Sequence, residues 1–138
     1  DPGRDGAAPS DRCRAGSAGR RGPMSVEPPV LVVWYDLLKW LLAKTEKFPK
    51  RVRFTLSNRI DTLAIDVMER LAEARYSRTK GSLLRDVSAR LDRLRLLLRL
   101  CHDLGHLDHG GYRYASERID EAGRMLGGWL KSAEGASP

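Results

Sequence analysis

Cys101, His102, Asp103, His106, Asp108 and His109 form the densest cluster of chemistry-bearing side chains in the sequence. His102 and His106 stand at i, i+4, a spacing that puts two imidazoles on one helix face where they could ligate zinc. Three features argue against a metal centre. Gly105 is placed to end the helix and take His106 off the repeat, Cys101 falls in an apolar seam, and no Glu stands between the histidines as in helical zinc proteases. A cationic residue near a helix C-terminus also interacts well with the helix dipole, which accounts for His102 without a ligand. No glycine-rich phosphate loop, nucleophile elbow or paired carboxylates occur. The expectation is a protein with no catalytic residues, no metal and no cofactor.

The second chemistry is phosphate binding. Residues 44–99 hold 15 Lys and Arg against 7 Asp and Glu, a net of +8, while residues 100–138 hold 4 against 6, a net of −2. Thirteen of these cations fall in three sets. Lys44, Lys47, Lys50, Arg51 and Arg53 flank Phe48-Pro49; Arg75, Arg78, Lys80 and Arg85 flank Gly81; Arg90, Arg93, Arg95 and Arg99 follow. Arginine dominates, and its forked donors match phosphate oxygens bidentately. The candidate nucleic-acid contacts are therefore Lys47, Lys50, Arg51, Arg53, Arg75, Arg78, Lys80, Arg85, Arg90, Arg93, Arg95 and Arg99. The competing reading is a solvated helix surface laced with intrahelical pairs such as Asp66–Arg70 and Asp92–Arg95. Only Tyr76, Tyr112 and Tyr114 offer themselves for base stacking, and all could be core. Contacts should thus be mostly to backbone, with weak sequence selectivity.

Helices must position these groups. Punctuation falls at Phe48-Pro49, at Lys80-Gly81 and from Gly105 to Gly111, and between these points the apolar period is helical. The pattern predicts helices over about 30–47, 51–78, 82–104 and 111–133, with Ser82 capping the third. The fold class is all-α, an up-down-up-down four-helix bundle spanning residues 30–133. In the third segment Leu84, Val87, Leu91, Leu94, Leu98 and Cys101 step 3, 4, 3, 4, 3 as a heptad seam. Leu96, Leu100 and Ala89 project away from it. A helix apolar on two sides is buried on two sides, so Leu96 and Leu100 are expected at an oligomer interface, the alternative being an oversized core within one chain. Gly123, Gly127 and Gly128 interrupt the last segment. Either Gly123 and Gly127 admit a close helix, or the helix ends near Gly127 and Trp129 and Leu130 fold back.

The chain has 138 residues, enough for one domain, with a formal net charge of +7. No apolar run approaches the about 20 residues of a membrane span, Cys13 and Cys101 do not form a disulfide framework, and the start lacks the apolar stretch of a secretion signal. A cytoplasmic, soluble protein is expected. Residues 1–23 contain five Gly, three Pro and five Arg and no Val, Ile, Leu, Phe, Trp or Tyr. With nothing to bury, residues 1–29 are expected as a disordered tail, either a functional basic arm or an extension preceding Met24, and residues 134–138 as a second one.

The stretch Phe48-Pro49-Lys50-Arg51-Val52-Arg53-Phe54-Thr55-Leu56, then Ile60 and Leu71-Ala72-Glu73-Ala74-Arg75-Tyr76, then Leu94 to Leu100, and last Gly123-Arg124-Met125-Leu126-Gly127-Gly128-Trp129-Leu130-Lys131, resembles the Avd proteins. These are the accessory variability determinants of diversity-generating retroelements, within a broader four-helix-bundle family that includes proteins encoded in intervening sequences of ribosomal RNA genes. The likeness covers about residues 30–132. It implies a homopentameric barrel without an active site that binds the element's reverse transcriptase and nucleic acid while template RNA is copied into mutagenised cDNA. The basic character of Lys50, Arg51, Arg53 and Arg75 carries over. Residues 1–23 depart from the pattern. Rival readings are the intervening-sequence branch, with no reverse transcriptase, and a purely structural interaction module.

Overall fold

A computed structural model describes residues 27–135. Most of both expected tails lies outside the described residues.

Helix α1 spans Pro29–Glu46. Pro29 sits in the first turn, where its missing N–H has no helical acceptor to lose. Val30, Trp34, Leu37, Leu38 and Leu41 face inward. Trp34 is fully buried, and its Nε1–H donates to the Ala64 carbonyl at 2.9 Å. That bond satisfies the one polar atom of a large buried ring.

The stretch 51–78, expected as one helix, is three pieces: a 3₁₀ turn Lys50–Val52, a π turn Arg53–Ser57, and α2 over Asn58–Ala74. Pro49 holds extended backbone (φ −56°, ψ 145°). The chain then re-enters helical geometry through a tight turn followed by a wide one. The wide turn carries both Leu56 and Ser57 inward, where Ser57 Oγ donates to the Thr45 carbonyl at 3.4 Å. Phe54 is left 82% exposed.

Helix α3, Lys80–Asp103, begins ahead of Ser82, so Ser82 is not its cap. Ser77 organises this turn instead. Its Oγ accepts the Thr79 N–H at 3.0 Å and its carbonyl accepts Lys80 Nζ at 2.9 Å. The helix closes at Gly105, as its position predicts. Gly105 adopts φ 85°, its N–H reaches the His102 carbonyl at 3.1 Å, and the His106 N–H reaches the Cys101 carbonyl at 2.9 Å. This paired closure requires the left-handed residue that glycine supplies.

Helix α4, His109–Gly135, starts before Gly111 because Asp108 caps it, with Oδ1 accepting the Gly111 N–H at 2.7 Å. It runs through all three internal glycines without breaking. Trp129 and Leu130 are therefore helical, and the helix continues into the stretch expected as a tail.

α1 and α3 each pack on both α2 and α4, so they stand diagonally across an up-down-up-down four-helix bundle. Among the described residues no strand occurs, and no helix is long and apolar enough to cross a membrane. The α3 seam Leu84–Cys101 is buried throughout. On its other side Leu96 and Leu100 are 64% and 43% exposed, with Leu104 exposed beside them. Nothing among the described residues covers them.

The glycines divide by what surrounds them. A Cβ on Gly123 would stand 3.1 Å from Arg95 Nη2, whereas Gly127 and Gly128 face open space. Gly127→Ala and Gly128→Ala should each stabilise the protomer by about 1 kcal/mol through helix propensity. Gly123→Ala should give less than that or a net loss, because Arg95 must shift. Denaturant midpoints of the three variants check the contrast.

Candidate nucleic-acid interface

The carboxylates decide which cations remain available. Arg90, only 17% exposed, pairs with Asp86 and brings its Nε to 4.0 Å from Asp66. Arg70 of α2 reaches the same two carboxylates, tying α2 to α3. Arg95 bonds to Asp92 at 2.8 Å and to Asp120 of α4 at 3.2 Å, and Arg85 pairs with Glu134 near the end of α4. The Asp66–Arg70 and Asp92–Arg95 pairs were legible as intrahelical spacings; their cross-helix partners were not. Burial pushes the Asp86 carboxyl up, but hydrogen bonds from Arg90 and Arg70 outweigh it and hold the group below its ordinary value of 3.8.

Three of the twelve candidate contacts, Arg85, Arg90 and Arg95, are thus committed to carboxylates. The other nine make no ion pair among the described residues. Lys47, Lys50, Arg51 and Arg53 stand exposed at the end where α1 passes to α2. Arg75, Arg78 and Lys80 lie at the opposite end, and Arg93 and Arg99 are exposed along α3. The 24 residues of α3 separate the two ends by about 36 Å.

At the α2–α3 end the chain forms an open cleft of about 1060 Å³ lined by Arg75, Tyr76, Arg78, Lys80, Arg85 and, from α4, Trp129. Tyr76 is not core: it is 70% exposed, with the Arg75 guanidinium 4.8 Å over one ring face. Tyr112 and Tyr114 are engaged, Tyr112 stacked on His102 at 4.7 Å and Tyr114 tilted on Trp40 at 4.9 Å. Phe54, beside Arg53, is a further exposed aromatic that sequence reasoning passed over. Its signal was its position off the Leu56–Ile60–Leu63 repeat.

His102 stays near His109, ring centroids 5.9 Å apart, and near Asp103 at 3.7 Å, while other members of the cluster take structural roles. Asp108 caps α4, His102 lies in an aromatic stack, and His106 lies 5.8 Å from Phe48. Among the described residues no group of three or more His, Cys, Asp or Glu is placed to hold a metal ion. Cys101 is fully buried, and burial pushes its thiol up to about 11.

The profile of the bAvd-like family matches residues 31–133. The chain belongs to the bAvd-like family. The matched span takes in nearly all of the bundle, both basic ends and the exposed leucine face of α3, so the bAvd-like unit is the bundle itself. No curated protein and no solved structure matches the chain.

Two outcomes follow from the geometry of this bAvd-like bundle. The Asp86 carboxyl is depressed in the folded state, so its contribution is complete above the unfolded value and is lost as pH falls through the folded one. Asp86→Asn should destabilise the protein by about 1 kcal/mol at neutral pH, the pair being partly exposed, and the gap should close below about pH 4. Thermal unfolding from pH 7 to pH 3 checks it. Cys101 should resist alkylation at pH 8 in native protein and react once denatured, read by peptide mapping.

Proposed function

We propose that this chain is a non-catalytic, homo-oligomeric, cytoplasmic scaffold that holds the phosphate backbone of a template RNA, or its cDNA, together with the reverse transcriptase of a diversity-generating retroelement. The observation that carries the nucleic-acid part is the sorting of cations: nine side chains without carboxylate partners among the described residues, grouped at the two bundle ends and along α3. Summed over a symmetric assembly, such a surface attracts nucleic acid through counterion release. The likeness to Avd proteins supports the reverse transcriptase as protein partner and the pentamer as the assembly.

Oligomerisation is supported by the two diagonal helices. Leu96, Leu100 and Leu104 are exposed on α3, and Val32, Tyr35 and Leu42 are exposed on α1. Two different apolar stripes on diagonally opposed helices suit a head-to-tail contact, the kind that closes into a ring. Leu96 and Leu100 are the interface residues on the α3 side.

The test is RNA affinity against salt. Wild-type binding should fall steeply, and reversing Lys47, Lys50, Arg51 and Arg53 to Glu should weaken it. On single strands the slope should also flatten by about 0.7 for each phosphate that the variant no longer neutralises. A salt-insensitive affinity, or an unchanged slope in the variant, would contradict the reading. Reversing Arg93 and Arg99 is a second clean probe. Arg90 and Arg95 are poor choices, because reversing them strands Asp92 and Asp120, leaves Asp66 and Asp86 with Arg70 alone, and so measures stability instead. Leu96→Glu with Leu100→Glu should lower the native mass to that of a protomer. Failure of the reverse transcriptase to co-purify would move the chain to the intervening-sequence branch.

A further inference from the structure

We infer that the cleft between the α2–α3 turn and the end of α4 is a subsite for one nucleotide of a single strand, its base stacked on the free face of Tyr76 and its phosphates held by Arg78 and Lys80. The inference rests on the nucleic-acid reading above and adds to it a place where bases, not only backbone, are held.

Tyr76 is the centre. Just past the end of α2, most of its side chain lies in solvent, and the Arg75 guanidinium covers one face of the ring at 4.8 Å. That contact occupies one face and favours this ring orientation, and the exposed remainder offers the opposite face as a platform. Aromatic platforms beside cations are how single strands are held without sequence preference, because every base has a π-face. Bases paired and stacked inside a duplex are not free to lie on such a platform, so the subsite favours a single strand over the duplex.

The charge around the ring suits phosphate. Glu134, the one carboxylate lining the cleft among the described residues, is paired with Arg85. Arg78 is exposed without an ion pair among the described residues. Lys80 is held in place by the Ser77 carbonyl at 2.9 Å, a neutral acceptor that leaves its charge unbalanced. The cleft volume, about 1060 Å³, lies just above the range of small-ligand sites, about 300–1,000 Å³. Its open form admits a strand passing through rather than an enclosed molecule.

The experiment is fluorescence anisotropy of the full chain with labelled oligouridylate of about a dozen nucleotides, an abasic strand of equal length, and a duplex RNA. Tyr76→Ala, checked for fold by circular dichroism and native mass, should lose roughly fivefold or more in affinity for oligouridylate. Binding of the abasic strand should be unchanged, as should the salt slope. Tyr76→Trp should restore binding. Arg78→Ala with Lys80→Ala should weaken both strands alike and flatten the slope. Oligouridylate binding by Tyr76→Ala equal to wild type, or an equal loss on the abasic strand, overturns the subsite. If the α1–α2 charge reversal abolishes binding while Tyr76→Ala does not, only the subsite falls. If wild type binds no strand at low salt, the nucleic-acid reading falls with it.

Discussion

Carboxylates placed between helices govern this bundle. Asp66 and Asp86 share Arg70 and Arg90 across α2 and α3, Asp92 and Asp120 hold Arg95, and Glu134 holds Arg85. Arg70–Asp86, Arg90–Asp66, Arg95–Asp120 and Arg85–Glu134 cross between helices, the others lie within one helix, and each occupies an arginine that could otherwise meet a phosphate. What remains is not a uniform basic coat. Among the candidate contacts it is two clusters at opposite ends of a four-helix rod with Arg93 and Arg99 along α3, while Arg59, Arg124 and Lys131 also stand exposed without an ion pair among the described residues. Partly exposed pairs of this kind add modestly to stability; their larger consequence here is to decide where uncompensated positive charge stands.

The same helix that carries this charge also carries two apolar faces. One is the buried seam from Leu84 to Cys101, the other the exposed set of Leu96, Leu100 and Leu104. Water-facing leucines on a helix flanked by arginines make sense when a second copy covers them, because assembly then brings basic surfaces of neighbouring protomers into one field. On the proposed reading, the exposed leucines of α3 and the arginines beside them, Arg93 and Arg99, would link assembly to polyanion binding.

Much of the architecture was legible because it follows from the 3.6-residue period. The α3 seam, its closure at Gly105 and the exposure of Leu96 and Leu100 needed only spacing and the conformational freedom of glycine. The misses share a cause, since side chains that bond to backbone a few residues away leave no apolar signature. Asp108 stood in the histidine-rich cluster with no role assigned to it and is a helix cap. Ser82 looked like a cap and is an ordinary first-turn residue, Ser77 having taken the turn. The stretch after Pro49 looked like a plain helix, although Ser57 bonding to Thr45 and Leu56 turning inward widen it. The site was half legible. Charge excess marked the right segments, but only tertiary placement of Asp86, Asp120 and Glu134 could separate the committed arginines from the others, and only the turn geometry could turn Tyr76 outward.

Lysine footprinting of the native assembly tests most directly whether carboxylate pairing has sorted the cations. Acylation would be mapped by mass spectrometry with and without saturating single-stranded RNA. Lys47, Lys50 and Lys80 should be protected by RNA, while Lys39, paired with Asp36 on α1 at 3.7 Å, should react equally in both states. Protection spread evenly over every lysine, or confined to Lys39, would contradict it.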